Sequence, residues 1–130
     1  NLDNDKAVTG WLALEDVDDE NGCIHYVRAS HKKKGYRPHG RSEVLGFSQG
    51  VTDFGTDEDK KNTLKFEGKA GMFLMHDAKI IHFASSNKSK IRSRRAFGFV
   101  YHGVSAKHDE EKGKAYQKKL HDELKAKKII

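Results

Sequence analysis

Short apolar runs alternate with polar stretches along most of the chain, and the pattern changes only near its C-terminal end. Such runs end at turn residues such as glycine, asparagine and aspartate. Several short strands separated by turn signals are typical of a β-sandwich, a jelly roll or a barrel. We therefore predict a mainly β fold. The strand-like segments are 6–14, 23–30, 63–68, 69–77 and 94–103.

Two of the polar stretches carry more specific signals. The acidic segment 15–22 ends in Asn-Gly, the strongest short-range signal for a hairpin, so we expect strand 6–14 to turn back into strand 23–30. The polar stretch 31–62 contains the only proline and is too long for an ordinary connection. Long excursions of this kind often cover sites, and we expect the same here.

The hydrophobic period changes from about residue 109 onward. Tyr116, Leu120 and Leu124 recur at four-residue spacing among lysine, glutamate and glutamine. This spacing predicts an amphipathic helix over about 109–127, because residues four apart lie on the same helix face.

Length and cysteine content limit the organisation of the chain. The 130 residues suit a single domain over 1–130, with a β core over about 6–103 followed by the helix. Cys23 is the only cysteine, which excludes an internal disulfide and fits a reducing compartment, so we predict a cytoplasmic protein. No apolar run approaches the roughly 18 residues of a membrane span, so we expect no membrane partner.

The formal net charge of +6 raises the question of nucleic-acid binding. The densest basic clusters are 31–37, 88–95 and 124–128, and none of them interleaves aromatic residues as a single-strand binder does. Zinc-finger and RNP-like patterns are also absent from the sequence. We therefore expect solvated surface lysines and no nucleic-acid partner.

Histidine is the main candidate for chemistry, because HExxH, CxxC, G-x-S-x-G and glycine-rich phosphate loops do not occur in the sequence. The remaining metal option is a facial triad of two histidines and one carboxylate. Its first half, His-x-Asp or His-x-Glu on a strand, occurs only as His-x-Glu at 108–110 and 121–123. Both lie in the predicted helix, where residues i and i+2 diverge by about 200°. We interpret both as surface charge.

The second half of a triad has a better candidate in the segment 76–96, HDAKIIHFASSNKSKIRSRRA. We expect His82 at the end of one strand, with His76 as a strand residue near the site. Arg94 and Arg95 would begin the next strand, as its neighbour in a jelly roll. A guanidinium there would make a bidentate contact with a carboxylate co-substrate held near the metal. A surface loop rich in lysine, serine and asparagine remains the alternative.

Several motifs follow one another in a collinear order over about residues 6–103. They are Trp11-x-Ala13-Leu14, Glu20-Asn21-Gly22-Cys23, Ala29-Ser30-His31-Lys32, His82 with Asn87 and Ser89, and Arg94-Arg95-Ala96. In this order and composition the chain resembles the phytanoyl-CoA dioxygenase family of iron(II)/2-oxoglutarate oxygenases. It departs from the family at Ala29, where the family prefers glycine, and at Ala84, where the family has serine.

The resemblance implies a partial double-stranded β-helix (jelly roll or cupin-like) with a C-terminal α-helix, and it implies Fe(II) and 2-oxoglutarate as cofactor and co-substrate. His82 resembles the distal iron-binding histidine. Arg94 resembles the arginine that grips the distal carboxylate of 2-oxoglutarate, and Trp11 stands where the family has a tryptophan beside the co-substrate. Two alternatives stay open: Arg95 as the clamp, and Trp11 as a plain core residue.

The first half of the family's iron site is the largest departure. In the family, His-x-Asp precedes the Trp-x-Ala-Leu strand, and counting back from Trp11 places it before Asn1. We therefore expect an N-terminally truncated fragment that begins after the first two iron ligands, is inactive alone and self-associates through exposed strand edges.

The function that the resemblance implies is hydroxylation of an unidentified small organic substrate by an Fe(II)/2-oxoglutarate-dependent oxygenase. Whether this chain is itself an enzyme stays open, because two of the three iron ligands are expected to be missing. The alternative is a non-catalytic jelly-roll module that binds a ligand or a partner.

Overall fold

The computed structural model describes residues 6–41, 49–107 and 109–126, and these are mainly β. The elements in chain order are β1 (Ala7–Ala13), β2 (Ile24–Val27), β3 (His39–Arg41), β4 (Gln49–Val51), α1 (Asp57–Asn62), β5 (Thr63–Phe66), β6 (Phe73–Asp77), β7 (His82–Ala84), β8 (Ala96–His102) and α2 (Glu110–Ala126). The predicted class, a mainly β fold with a C-terminal helix, is confirmed.

Six of the described strands form two three-stranded sheets, with the orders β6-β1-β8 and β5-β2-β7. β1 is antiparallel to β6, and Trp11 lies opposite Leu74. β2 is antiparallel to both of its neighbours, and Tyr26 lies opposite Leu64 on β5 and His82 on β7. Because alternate side chains of a strand point to opposite faces, Tyr26 and His82 share one face of their sheet.

The predicted hairpin between the first two strands is wrong, because β1 and β2 belong to different sheets. The acidic turn 15–22 carries the chain from one sheet to the other. Asn21 in this turn is 0% exposed, and its side-chain amide donates to the carbonyl oxygens of Asp16 at 2.8 Å and Ser93 at 3.0 Å. These buried tertiary contacts override the local preference of Asn-Gly for a hairpin.

The predicted strand order around His82 is also wrong. His82 begins the short strand β7 and does not end a strand, and β7 and β8 lie in different sheets, not side by side. The connection 85–95 passes from one sheet to the other, as the acidic turn does. Arg94 therefore precedes a strand that pairs with β1.

The polar excursion 31–62 contains regular structure. β3 and β4 pair in a two-stranded antiparallel sheet, and α1 begins with a capping box between Thr56 and Asp59. The carboxylate of the buried Asp59 also accepts a hydrogen bond from Arg37 Nη1 at 2.6 Å. This contact holds the pKa of Asp59 well below its usual range, so a half-buried ion pair anchors the excursion. That the excursion covers a site stays a prediction.

Contacts divide the chain into two compact units, and each has its own regular structure. The first is Val8–Val100, which contains nearly all of both three-stranded sheets. Of the described residues, the second combines 101–107 and 109–126 with Lys6 and Ala7, and it contains α2. The prediction of a single domain stays a prediction.

Helix α2, Glu110–Ala126, confirms the helix that was predicted over about 109–127. His108, the side chain of Leu120 and the residues from 127 onward lie outside the described residues. No helix in the described part of the chain is both long and apolar enough to cross a membrane.

Ala29 adopts a conformation that favours glycine, with φ at 58° and ψ at 9°. We expect Ala29→Gly to raise the free energy of unfolding by about 0.5 kcal/mol, because the left-handed region costs alanine more than glycine loses in chain entropy. Urea unfolding measures the change. The control is Ala84→Gly in β7. This variant should have a free energy of unfolding lower by about 0.5 kcal/mol, because glycine in a strand loses more chain entropy on folding. A loss at both positions would contradict the prediction.

Candidate functional site

Three rings meet where the inner faces of the two sheets approach each other. The ring centroids of His76 on β6 and His82 on β7 lie 4.5 Å apart. Tyr26 on β2 lies 5.0 Å from His76 and 6.3 Å from His82 by the same measure. His76 and Tyr26 are buried, whereas His82 is exposed. The cluster therefore joins the two sheets and presents one imidazole at the surface.

Both imidazoles are oriented by a hydrogen bond from Nδ1. His82 Nδ1 lies 3.0 Å from the carbonyl oxygen of Ile80, and His76 Nδ1 lies 2.9 Å from that of Asp77. A carbonyl oxygen only accepts, so each Nδ1 carries the hydrogen, and Nε2 takes no part in the bond that orients the ring. Burial lowers the pKa of His76, which favours its neutral form. Imidazoles held in this way are suited to metal ligation.

Two buried polar atoms near the predicted site have no hydrogen-bond partner among the described residues. They are the hydroxyl of Tyr26 and Nε of Arg94. A buried polar group without a partner costs about 1–3 kcal/mol, so such groups often mark a place where a ligand binds. The Tyr26 hydroxyl belongs to the ring cluster, whose Tyr26 and His82 rings lie edge to face.

Arg94 and Arg95 have different surroundings. Arg95 is bound by Glu15: its Nε and Nη2 donate to Glu15 Oε1 at 3.0 and 2.8 Å, and its backbone N–H donates to Oε2 at 2.8 Å. The Arg95 side chain is 74% exposed, whereas Arg94 is half-buried. These contacts favour Arg94 over Arg95 as the arginine available to a ligand. The assignment itself stays a prediction.

The acidic turn 15–22 holds the segment that precedes β8. Besides the contact of Glu15 with Arg95, Arg92 Nη1 donates to Asp18 at 2.7 Å and to Glu20 at 3.1 Å. These contacts fix the residues on both sides of Arg94. Sequence reasoning missed this role because it treated the turn as a hairpin. The opposite charges of the two segments are the signal that could have revealed it.

The structure brings some of the predicted site residues together and leaves others apart. Trp11 is half-buried on β1, and the strand register places it on the same face of its sheet as His76. Among the described residues, neither Trp11 nor Arg94 makes a ring contact or a hydrogen bond with His82. The structure therefore unites His82 with His76, which sequence reasoning placed only near the site.

Glu15 makes folding stability depend on pH in the acid range. Hydrogen bonds from the Ser93 hydroxyl, and next from the Arg95 backbone N–H and guanidinium, lower the pKa of Glu15 from 4.5 to about 2. A carboxyl whose pKa is lower in the folded state stabilises the fold fully above its unfolded pKa, and this contribution is lost as protons bind. We expect the free energy of unfolding to fall as the pH decreases from 4.5 to about 2.

The variant Glu15→Gln should lack this part of the pH dependence. Urea unfolding at several pH values, followed by the fluorescence of Trp11, measures it. Glu110→Gln at the exposed start of α2 is the control and should keep the wild-type profile. Equal pH profiles for wild type and Glu15→Gln would refute the assignment.

Solved structures with the same fold include proteins that are described as non-heme enzymes. One, described as a non-heme monooxygenase, ThoJ in the apo form, is 25% identical with a TM-score of 0.64, over 82% of this chain and 37% of that chain. EvdO2 from Micromonospora carbonacea var. aurantiaca, complexed with 2-oxoglutarate, is 23% identical with a TM-score of 0.60, over 78% of this chain and 42% of that chain. The epimerase SnoN, complexed with Fe3+, alpha ketoglutarate and nogalamycin RO, is 24% identical with a TM-score of 0.58. The match covers 78% of this chain and 37% of that chain.

These similarities support the predicted jelly-roll fold, and the chain spans between 37% and 42% of the length of these three proteins. The amino-acid sequence matches the family model described as phytanoyl-CoA dioxygenase (PhyH) over residues 1–96. The matched span contains the ring cluster, the acidic turn and Arg94. Because it is well over half of the 130 residues, this chain belongs to the phytanoyl-CoA dioxygenase (PhyH) family.

Proposed function

We propose that this chain contributes the second half of an Fe(II)/2-oxoglutarate-dependent oxygenase site that acts on a small organic substrate. The observation that carries the proposal is the pair of imidazoles at the sheet interface. The ring centroids of His76 and His82 lie 4.5 Å apart. In each ring, Nδ1 makes the hydrogen bond that orients the ring, and Nε2 does not take part in it. The family match and the fold agree with this chemistry.

Each predicted residue has a defined part in this proposal. His82 Nε2 ligates the iron, and the buried His76 ring holds His82 in place by packing against it. Arg94 neutralises and orients the distal carboxylate of 2-oxoglutarate, which would give its unpartnered Nε an acceptor. Trp11 flanks the co-substrate. Dioxygen would be the oxidant: two of the four electrons that it accepts would come from 2-oxoglutarate, which leaves as succinate and CO2, and two from the hydroxylated substrate. The iron, when bound, would activate dioxygen, while the protein supplies ligation and orientation.

The remaining iron ligands lie outside the described residues in this proposal. Within residues 6–41, 49–107 and 109–126, no Asp, Glu or Cys lies near enough to His76 and His82 to share an ion with both. The His82 imidazole alone holds iron(II) weakly, since the facial triad needs a second histidine and a carboxylate. We therefore expect this chain by itself to produce no succinate from 2-oxoglutarate. The same observation favours the second candidate, a non-catalytic module that binds a ligand or a partner.

Paramagnetic broadening of histidine ring signals tests the proposal. Mn2+ is a suitable stand-in for Fe(II), because it prefers oxygen and nitrogen ligands over the thiolate of Cys23. In a Mn2+ titration with 2-oxoglutarate present, the ring signals of His82 and then His76 should broaden first. Exposed His39 and His121 are internal controls. If they broaden first and His82 does not respond, the oxygenase proposal fails and the non-catalytic module is favoured.

The same titration separates Arg94 from Arg95 as the clamp. 2-Oxoglutarate should increase the affinity of the wild-type chain for Mn2+. In Arg94→Ala this increase should be smaller by about tenfold or more, since a bidentate guanidinium contact with the co-substrate is lost. Arg95→Ala should leave it unchanged, because Glu15 already binds that side chain. The reverse result would identify Arg95 as the clamp. Succinate formation by the chain alone would show instead that it carries a complete iron centre.

Self-association is part of the proposal because an apolar strand lies at a sheet edge. β8 is the terminal strand in the order β6-β1-β8, and its Phe97 and Val100 are 54% and 59% exposed. Long exposed apolar edge strands pair with other chains, and charged residues prevent this. Light scattering should give a mass above that of one chain, and Phe97→Lys should lower it. Phe54→Lys, at an exposed phenylalanine outside the strands, is the control. A wild-type monomer would contradict the prediction.

The charge distribution of the first unit favours a small-molecule substrate over a nucleic-acid partner. Several basic side chains of the first unit are paired with acids, for example Lys65 with Asp19, Lys69 with Asp16 and Arg92 with Asp18. Local pairing of this kind reduces the positive potential that phosphate backbones require. We therefore propose no nucleic-acid partner. The predicted absence of a membrane partner and the cytoplasmic location are carried forward as expectations.

A further inference from the structure

A cysteine, a histidine and an aspartate converge on the face of β2 that lies opposite the ring cluster. Cys23 directly precedes β2 and His25 lies two residues later, so both side chains point away from the face that carries Tyr26. Asp19 belongs to the acidic turn. One ligand atom from each of the three lies within 4.8 Å of the other two.

The three side chains are held with their donor atoms toward one another. Cys23 Sγ lies 3.7 Å from Asp19 Oδ1. The ring of His25 is stacked on Phe83, with centroids 4.7 Å apart and an interplanar angle of 1°, which fixes its orientation. His25 Nδ1 is buried and has no hydrogen-bond partner among the described residues. An oriented imidazole with an unpartnered nitrogen is a ready ligand.

A lysine shares the aspartate but leaves one of its oxygens available. Lys65 Nζ lies 2.5 Å from Asp19 Oδ2 and 3.2 Å from Glu67 Oε1. Asp19 Oδ1, the oxygen that faces the Cys23 sulfur, is not the one that Lys65 binds. A cation between Asp19 and Cys23 would therefore bind Asp19 Oδ1, while Lys65 keeps its contact with Oδ2. The two positive charges would share one carboxylate without sharing an oxygen.

We propose that Asp19, Cys23 and His25 form a binding site for a divalent cation of the zinc type, separate from the oxygenase site. A thiolate, an imidazole and a carboxylate are ligands that Zn2+ prefers, whereas Mg2+ and Ca2+ require oxygen ligands. Bonds of about 2.0–2.3 Å in a tetrahedral site place ligand atoms roughly 3.5 Å apart. The observed spacing therefore requires only a small inward movement, and the fourth position is left for water or another ligand.

The proposed ion would tie the acidic turn to β2. Burial, and next the charge of Asp19, raise the pKa of the Cys23 thiol. Because the metal binds the thiolate, binding releases a proton, and the affinity increases as the pH rises. The bound ion would also stabilise the turn that holds the segment around Arg94.

Cobalt titration of the whole chain tests this site. Cys23 is the only cysteine, so a near-ultraviolet thiolate-to-Co2+ charge-transfer band reports on this residue alone. We expect the band to saturate at one Co2+ per chain and to disappear when Zn2+ is added. Asp19→Asn and His25→Gln should each weaken Co2+ binding about tenfold or more, as loss of a ligand requires.

Matched variants keep the test specific. Asp16→Asn alters the same turn and also breaks an ion pair with a lysine, Lys69 at 2.8 Å, but it lies outside the three-residue cluster and should leave the band unchanged. His82→Ala should also leave it unchanged, which separates this site from the oxygenase site. Absence of the band in folded wild-type protein, or a band indifferent to both Asp19→Asn and His25→Gln, would overturn the proposal.

Discussion

Gly22→Ala is expected to lower the free energy of unfolding by about 4 kcal/mol, or to prevent folding. Gly22 has a φ of 88°, where an L side chain is strained by about 1–2 kcal/mol. A Cβ at this position would also overlap the carbonyl oxygen of Ser85 and lie 3.1 Å from its carbonyl carbon. Both contacts are with backbone, which cannot move aside as a flexible side chain can, so a severe overpacking cost adds to the strain.

Gly71→Ala separates these two costs. Gly71 has nearly the same φ, 91°, but no atom lies within 4 Å of a Cβ built there. Gly71→Ala should therefore lower the free energy of unfolding only by the cost of backbone strain, about 1–2 kcal/mol. Urea unfolding of both variants, followed by the fluorescence of Trp11, gives the two values. Equal losses at Gly22 and Gly71 would show that the contact with Ser85 is not rigid.

The sequence predicted the elements with strong local signals and misplaced their partners. The apolar period of α2 and the composition of β1 and β8 are local properties, so these elements were found close to their observed bounds. Which strands pair is decided by contacts between distant residues. The Asn-Gly dipeptide therefore predicted a hairpin, whereas Asn21 in fact bonds to Ser93 and the chain crosses to the other sheet.

The candidate site was predictable only in part for the same reason. His82 and Arg94 could be proposed from the order of motifs along the chain. The contact of His82 with Tyr26 and His76 depends on how two sheets pack, and no spacing in the sequence encodes that distance. The binding of Arg95 by Glu15 joins residues 80 positions apart. Complementary charge in the two segments is the only sequence signal for it.

Asn21→Ala is expected to lower the free energy of unfolding by about 3 kcal/mol. The Asn21 side chain is 0% exposed, donates to the carbonyl oxygens of Asp16 and Ser93, and accepts from the Asp18 N–H at 2.9 Å. Alanine removes all three hydrogen bonds and leaves the polar partners without a replacement. Each unsatisfied buried group costs about 1–3 kcal/mol, although water entering the cavity would recover part of this.

Asn87→Ala is the matched control because it removes the same side chain from an exposed site. Asn87 Nδ2 donates to the carbonyl oxygen of Arg92 at 2.7 Å, and its Oδ1 accepts from the Ser89 N–H at 2.9 Å. Water can replace both bonds, so the loss should be about 1 kcal/mol or less. Urea unfolding compares the two variants, and hydrogen exchange follows the amide of Arg95. That amide should exchange faster in Asn21→Ala, since the acidic turn would hold the segment around Arg94 less firmly. Equal unfolding losses with unchanged exchange would mean that the turn does not position Arg94.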